Sequence, residues 1–247
     1  MELKELRELK GVKVNSVCSM MCAAVVIVML LSGCKKMMRE IVEPSEKHVK
    51  KEYKVDAFEK IKASATIKMV YTQTEGEQKV VVDMPENLAD KIEVEVSGKE
   101  LKVNYNSKIN GDRATTVYVE APCVRSFKAS SASTIVMTNG VKADREVAIQ
   151  ASSAASIRCE GAIEAKLIYV DASSAATIGI AEAKAETIAV EASSAASADI
   201  SNINAETLSA KASSAATITL DGQYRTLLNE ESSAGEVNTK RLKAKQQ

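Results

Sequence analysis

Val170-Asp171-Ala172-Ser173-Ser174-Ala175-Ala176-Thr177-Ile178-Gly179-Ile180 decides the fold, because its central phrase keeps returning. Ala-Ser-Ser-Ala also stands at 129–132, 151–154, 192–195 and 212–215, and returns in degraded form as Glu231-Ser232-Ser233-Ala234. The starts of these phrases lie 22, 21, 20, 20 and 19 positions apart. A period near 20 residues marks stacked units, each burying its apolar face against its neighbours.

A finer period lies between the phrases. Ile168/Val170, Ile178/Ile180, Ile188/Val190, Ala198/Ile200, Leu208/Ala210 and Ile218/Leu220 are apolar pairs two residues apart, and successive pairs are ten apart. Val147/Ile149 and Ile157/Cys159 extend the series backwards. A spacing of two is the strand period. On a helix, ten residues turn roughly 1000°, so the pairs would drift around the circumference instead of forming one stripe. Runs such as Ala181-Glu182-Ala183-Lys184-Ala185-Glu186 favour helix by propensity alone. The pairing of β-branched residues outweighs them. The expected fold is all-β, a parallel β-solenoid with rungs of about 20–22 residues. Ile168, Val170 and Ala172 should point inward, Tyr169 and Asp171 outward, and the Ser-Ser pair should turn a narrow corner. Seryl hydroxyls stacked there can bond one another or the turn backbone. A third, shorter face is expected at Ala185-Glu186-Thr187 and Ala205-Glu206-Thr207.

Composition agrees with a narrow coil: 45% of the residues are hydrophobic, yet 3% are aromatic and none is Trp. The formal net charge is zero, which argues against a nucleic-acid partner.

The N-terminus reads as a targeting segment. Lys10 and Lys13 precede an apolar run from Val17 to Leu31, followed by Ser32-Gly33-Cys34. Small residues before a cysteine resemble the bacterial lipobox, which implies cleavage before Cys34 and lipidation of that residue. The run is short for an uncleaved membrane helix. Several acyl chains are needed for a stable anchor, at about 0.8 kcal/mol per buried methylene. Residues 1–33 are thus expected to be a lipoprotein signal peptide and 34–52 a lipidated tether, with His48, the only histidine, in the tether. Residues 53–240 are expected to form one solenoid domain, irregular to about 122 and regular afterwards, and 241–247 a basic tail. Of the cysteines left after processing, Cys159 falls at an inward position. A buried free thiol and a disulfide to Cys123 are both open readings.

No Ser-His-Asp or Cys-His set, CxxC or HExxH spacing, or glycine-rich phosphate loop occurs. Neither cofactor nor metal is expected, and no catalytic residue is assigned. The one weak surface candidate comes from the position before each corner, which reads Lys128, Gln150, Asp171, Glu191 and Lys211. Asp171 and Glu191 would be neighbours on adjacent rungs, as a glycosidase pair or a calcium site requires. The plainer reading is a solvated charge ladder in which Lys211 offsets Glu191, since no aromatic sugar platform accompanies the pair.

Several phrases carry a family resemblance: Val55-Asp56-Ala57-Phe58-Glu59-Lys60-Ile61, then Ile92-Glu93-Val94-Glu95-Val96 with Ser97-Gly98-Lys99-Glu100-Leu101-Lys102-Val103. Val117-Tyr118-Val119-Glu120-Ala121-Pro122 and the Ser-rich repeats follow. Over about 55–240 the chain resembles the putative auto-transporter adhesin, head GIN domain proteins, envelope lipoproteins common in Bacteroidetes. The resemblance implies a right-handed solenoid and a non-enzymatic, adhesin-like role, with no catalytic residues to carry over. The expected place is the cell envelope, with the outer membrane favoured. The expected partners are the membrane, through lipid on Cys34, and a protein or glycan ligand. A polysaccharide-active solenoid enzyme and a structural or assembly component of the envelope stay open as alternatives.

Overall fold

The computed structural model describes residues 41–106, 108–109, 115–122 and 124–246. Cys34, Cys123 and the segment read as a signal peptide lie outside them. No helix of the described residues is long and apolar enough to cross a membrane.

From Ser156 on, each coil is one long strand bent on itself: Ser156–Ala172, Thr177–Ala192, Ser197–Ala212, Thr217–Glu231 and finally Glu236–Ala244. Every coil pairs in parallel with the next, giving the expected β-solenoid. The first face stacks Ile157, Ile178, Ala198 and Ile218 in register, and all are buried. A register shift after Cys159, and again after Ile200, breaks the alternation and turns the strand into a short second face. That face stacks Ile163, Ala183 and Ile203 inward. It therefore lies slightly upstream of its expected place at 185–187, and Thr187 already belongs to the third face. The third face stacks Ile168, Ile188 and Leu208, then Val170, Val190 and Ala210, then Ala172, Ala192 and Ala212.

The corner phrase does something more specific than expected. Its left-handed pair is the second serine and the following alanine: Ser174 has φ +53° and Ala175 φ +58°. The Ala176 N–H donates to the Ser173 carbonyl at 3.2 Å, closing a turn of type I′ geometry. The same pair of angles recurs at Ala65/Thr66, Ser131/Ala132, Ser153/Ala154, Ser194/Ala195, Ser214/Ala215 and Ser233/Ala234. A left-handed non-glycine residue costs about 1–2 kcal/mol. The stack offsets this by stitching each turn to the next through backbone: Ala154 donates to Ser174 O at 2.9 Å, Ala175 to Ser194 O at 2.9 Å and Ala195 to Ser214 O at 3.0 Å. The ladder expected of the seryl hydroxyls is thus a backbone ladder. Two seryl hydroxyls do join rungs: Ser133 Oγ donates to Ala63 O at 3.0 Å, and Ser64 Oγ to Asn104 Oδ1.

The first half is irregular because rung order departs from chain order. Ala63 pairs with Val103 on one side and Ala129 on the other, and Met69 pairs with Val117 and Ile135. The coil containing Glu100–Tyr105 and Thr116–Ala121 therefore stacks outside the earlier Lys60–Ala63 and Lys68–Gln73 coil. Three antiparallel strands cover this end: Ile92–Ser97 on Glu100–Tyr105, Lys79–Pro85 on Thr116–Ala121, and His48–Tyr53 on Lys79–Pro85. The core here is wider and takes rings, with Tyr71 and Phe127 edge to face at 5.1 Å and the Tyr71 hydroxyl donating to Ala121 O at 3.0 Å.

Two boundaries differ from expectation. The strand His48–Tyr53 lies mostly inside the stretch read as tether, because its backbone completes the edge of Lys79–Pro85. Arg241, Leu242, Lys243 and Ala244, read as tail, belong to the last strand. Leu242 packs against the core, while Arg241 meets Asp221 at 3.7 Å and Lys245 meets Glu206 at 2.6 Å. Apolar packing fades in the last third-face segment. Glu231 takes the corner alanine's place, and its Oε1 accepts the Val237 N–H at 2.7 Å.

Candidate binding face

Outward residues of the third face form columns along the solenoid, because each strand is in register with the next. The column before the corner alanine reads Lys102, Lys62, Lys128, Gln150, Asp171, Glu191, Lys211 and Glu230. The column two residues earlier reads Glu100, Lys60, Ser126, Ala148, Tyr169, Ala189, Ser209 and Leu228.

Asp171 and Glu191 are direct cross-strand partners. Asp171 is half-buried, and desolvation together with the Glu191 charge raises its carboxyl above the usual range, while a hydrogen bond with Gln150 pulls the other way. Glu191 Oε2 accepts the Tyr169 hydroxyl at 3.3 Å. Burial and the two carboxylates push that phenol up to about 12. Lys211 stands beside Glu191 in the ladder, but its ammonium turns to Glu230 Oε1 at 3.1 Å. The compensation expected of Lys211 therefore goes to the next rung. The pair stands on an outward sheet face, and a single aromatic, Tyr169, lies beside it.

The other singled-out residues make no site with it. His48 Nδ1 lies 2.9 Å from Asp83 Oδ1, and Lys50 lies 3.6 Å from the same carboxylate. Cys159 is a buried free thiol that donates to Gly161 O at 3.3 Å. Burial raises its pKa to about 11, so it is a poor nucleophile. Among the described residues no three His, Cys, Asp or Glu side chains gather as a metal site.

Two features escaped the sequence reading. The first is the basic end of the same face. Lys60, Lys62 and Lys128 are exposed and form no ion pair with any described residue, while Lys102 lies 3.8 Å from Glu100. Lys60-Ile61-Lys62-Ala63 showed the alternation, but nothing in the order of residues placed Lys62 between Lys102 and Lys128. Shallow clefts of about 300 and 430 Å³ flank Lys128 and Gln150. The larger is also lined by Lys60, Arg125, Glu146 and Tyr169. The second is a cleft of about 540 Å³ on the first face, where Gly179 leaves a gap between Arg158 and Asp199.

The fold is shared by solved structures. A putative adhesin from Parabacteroides distasonis superposes with a TM-score of 0.68 at 16% identity, covering 78% of this chain and 100% of that one. A putative lipid binding protein from the same species gives 0.64 at 11% identity, over 81% and 99%. A putative adhesin from Bacteroides fragilis gives 0.63 at 20% identity, over 80% and 99%. Among curated proteins, none matches. The model of one family matches residues 57–247, most of the chain and all of its solenoid coils, and the chain therefore belongs to the family described as putative auto-transporter adhesin, head GIN domain.

Proposed function

We propose that this protein is a non-enzymatic, adhesin-like binding lipoprotein of the cell envelope, held to a membrane, the outer membrane by preference, through lipid on Cys34. The carrying observation is family membership over residues 57–247. Physical chemistry supports the same reading. The third face presents long, in-register columns of outward side chains, most of them polar and at least partly exposed, a surface suited to extended contact with a ligand. General acid–base catalysis needs two groups of separated pKa in a water-shielded cleft. Asp171 and Glu191 instead share an outward sheet face.

The anchor and the binding role are tested separately. Cells expressing the full chain are labelled with palmitate. The wild type is expected to incorporate label and Cys34→Ala to remain an unlabelled precursor. Label retained in Cys34→Ala would reject the anchor. A glycan and protein array probed with the purified chain tests the binding role, which a blank array would contradict.

A further inference from the structure

We propose that the third face binds an acidic polysaccharide, a chain of uronate residues lying along the solenoid axis, over Lys102, Lys62 and Lys128 and against Tyr169; this rests on the binding reading above. Lys102, Lys62 and Lys128 are cross-strand partners in one outward column. Strands in a sheet lie about 4.8 Å apart, so the three lysine positions repeat at close to the rise per sugar of an extended polysaccharide. Like charges directly opposite one another destabilise a sheet. Lys62 and Lys128 nevertheless adjoin, and Lys60 stands beside them. Glu100 is the cross-strand partner of Lys60 but its carboxylate lies 3.8 Å from Lys102, and no described acidic side chain forms an ion pair with Lys60, Lys62 or Lys128. An anionic ligand of matching repeat resolves that repulsion.

Tyr169 supplies the second element of recognition. Its column neighbours on the adjacent rungs are Ala148 and Ala189, so small side chains flank the ring on both sides. The hydroxyl bond to Glu191 fixes the ring's direction. An amphipathic ring held this way on a flat sheet suits the apolar face of a sugar. The cleft of about 430 Å³ joins the ring to Lys60, Arg125 and Lys128, three cations against the single carboxylate of Glu146. Arg125 is already ion-paired with Glu59, so the free lysines carry the attraction. Asp171 and Glu191 stand beside Tyr169, so the polyanion ends at the ring and is confined to its basic side.

The test uses the full chain in detergent micelles, with polygalacturonate as probe and neutral galactan as control. Binding is read by titration calorimetry at two salt concentrations. Polygalacturonate is expected to bind more weakly at higher salt, and galactan not at all. The double variant Lys62→Gln/Lys128→Gln is expected to lose tenfold or more in affinity and Tyr169→Ala several-fold. Lys184→Gln, on the second face, should match the wild type. Polygalacturonate binding no better than galactan, or equal losses in Lys184→Gln and the double variant, would overturn the proposal. So would preferential binding to phosphatidylglycerol vesicles with the same dependence on Lys62 and Lys128. If polygalacturonate fails while another array ligand binds, this proposal falls and the binding role stands. A blank array as well would remove both.

Discussion

Ala172 and Ala175 lie three residues apart, and replacing each with glycine should move stability in opposite directions. Ala175 has φ +58°, where a Cβ costs about 1–2 kcal/mol. Glycine removes that strain but adds about 0.5–1 kcal/mol of unfolded-state entropy. The net effect of Ala175→Gly is a gain of about 0.5–1 kcal/mol. The Ala175 side chain is exposed, so no packing is lost. Ala172 is fully buried and stacks between Ala151 and Ala192. Ala172→Gly deletes a buried methyl, worth about 0.8 kcal/mol, and adds the same entropy, for a total loss of about 1.3–1.8 kcal/mol. A kilocalorie moves the midpoint of a domain this size by about 2–4 °C. Differential scanning calorimetry should therefore find Ala175→Gly melting slightly above the wild type and Ala172→Gly several degrees below. A drop for Ala175→Gly equal to that for Ala172→Gly would refute the strained-corner account, because it would mean the left-handed turn carries no Cβ penalty.

Ala192→Leu should overpack the same buried column and cost about 1–3 kcal/mol in chemical denaturation, whereas the exposed Glu191→Gln should cost little. Asp171 has its carboxyl raised by burial and by Glu191, so the folded state favours the protonated form. That penalty is full at neutral pH and fades as pH falls through the raised value toward the ordinary Asp range near about 4. Asp171→Asn should accordingly stabilise slightly at pH 7, since solvent screens much of the Glu191 repulsion, and by nothing below that range; a larger gain in acid would contradict the sign. Gly140 has φ +85°, and a Cβ there would collide with the backbone of Ala162 on the next coil. Gly140→Ala should lower the melting temperature more than Gly76→Ala, where the surrounding space is open. Thiol labelling of the native protein should leave Cys159 unmodified at pH 8, and rapid labelling would contradict its burial.

The regular half was legible because one residue period controls it. Two-residue spacing set inward against outward for Ile168 through Ala172, and the 20-residue period placed Asp171 beside Glu191. What escaped was everything that depends on partners distant in sequence. The coil of Glu100–Tyr105 and Thr116–Ala121 stacks outside an earlier coil, an inversion invisible in a linear pattern, so the lysine column went unread. The strand His48–Tyr53 carries three consecutive charged residues, Lys50, Lys51 and Glu52. Its order comes from antiparallel pairing with Lys79–Pro85, which composition cannot announce. The corner was read as a serine turn because hydroxyls dominate the phrase, whereas the constraint is two left-handed residues with small side chains. Lys211 was assigned to Glu191 by ladder position, yet the side chain turned to Glu230 on the other neighbouring rung, a choice that register leaves open.

The reading of this protein as a binder and not a catalyst is tested most directly by reducing-end release. The full chain is incubated with a panel of polysaccharides that includes polygalacturonate, and new reducing ends are counted over hours. The account predicts none above the protein-free blank, with the bound polysaccharide recovered at its original length. Turnover by the wild type that disappears in Asp171→Asn would contradict it and make Asp171 and Glu191 an active site.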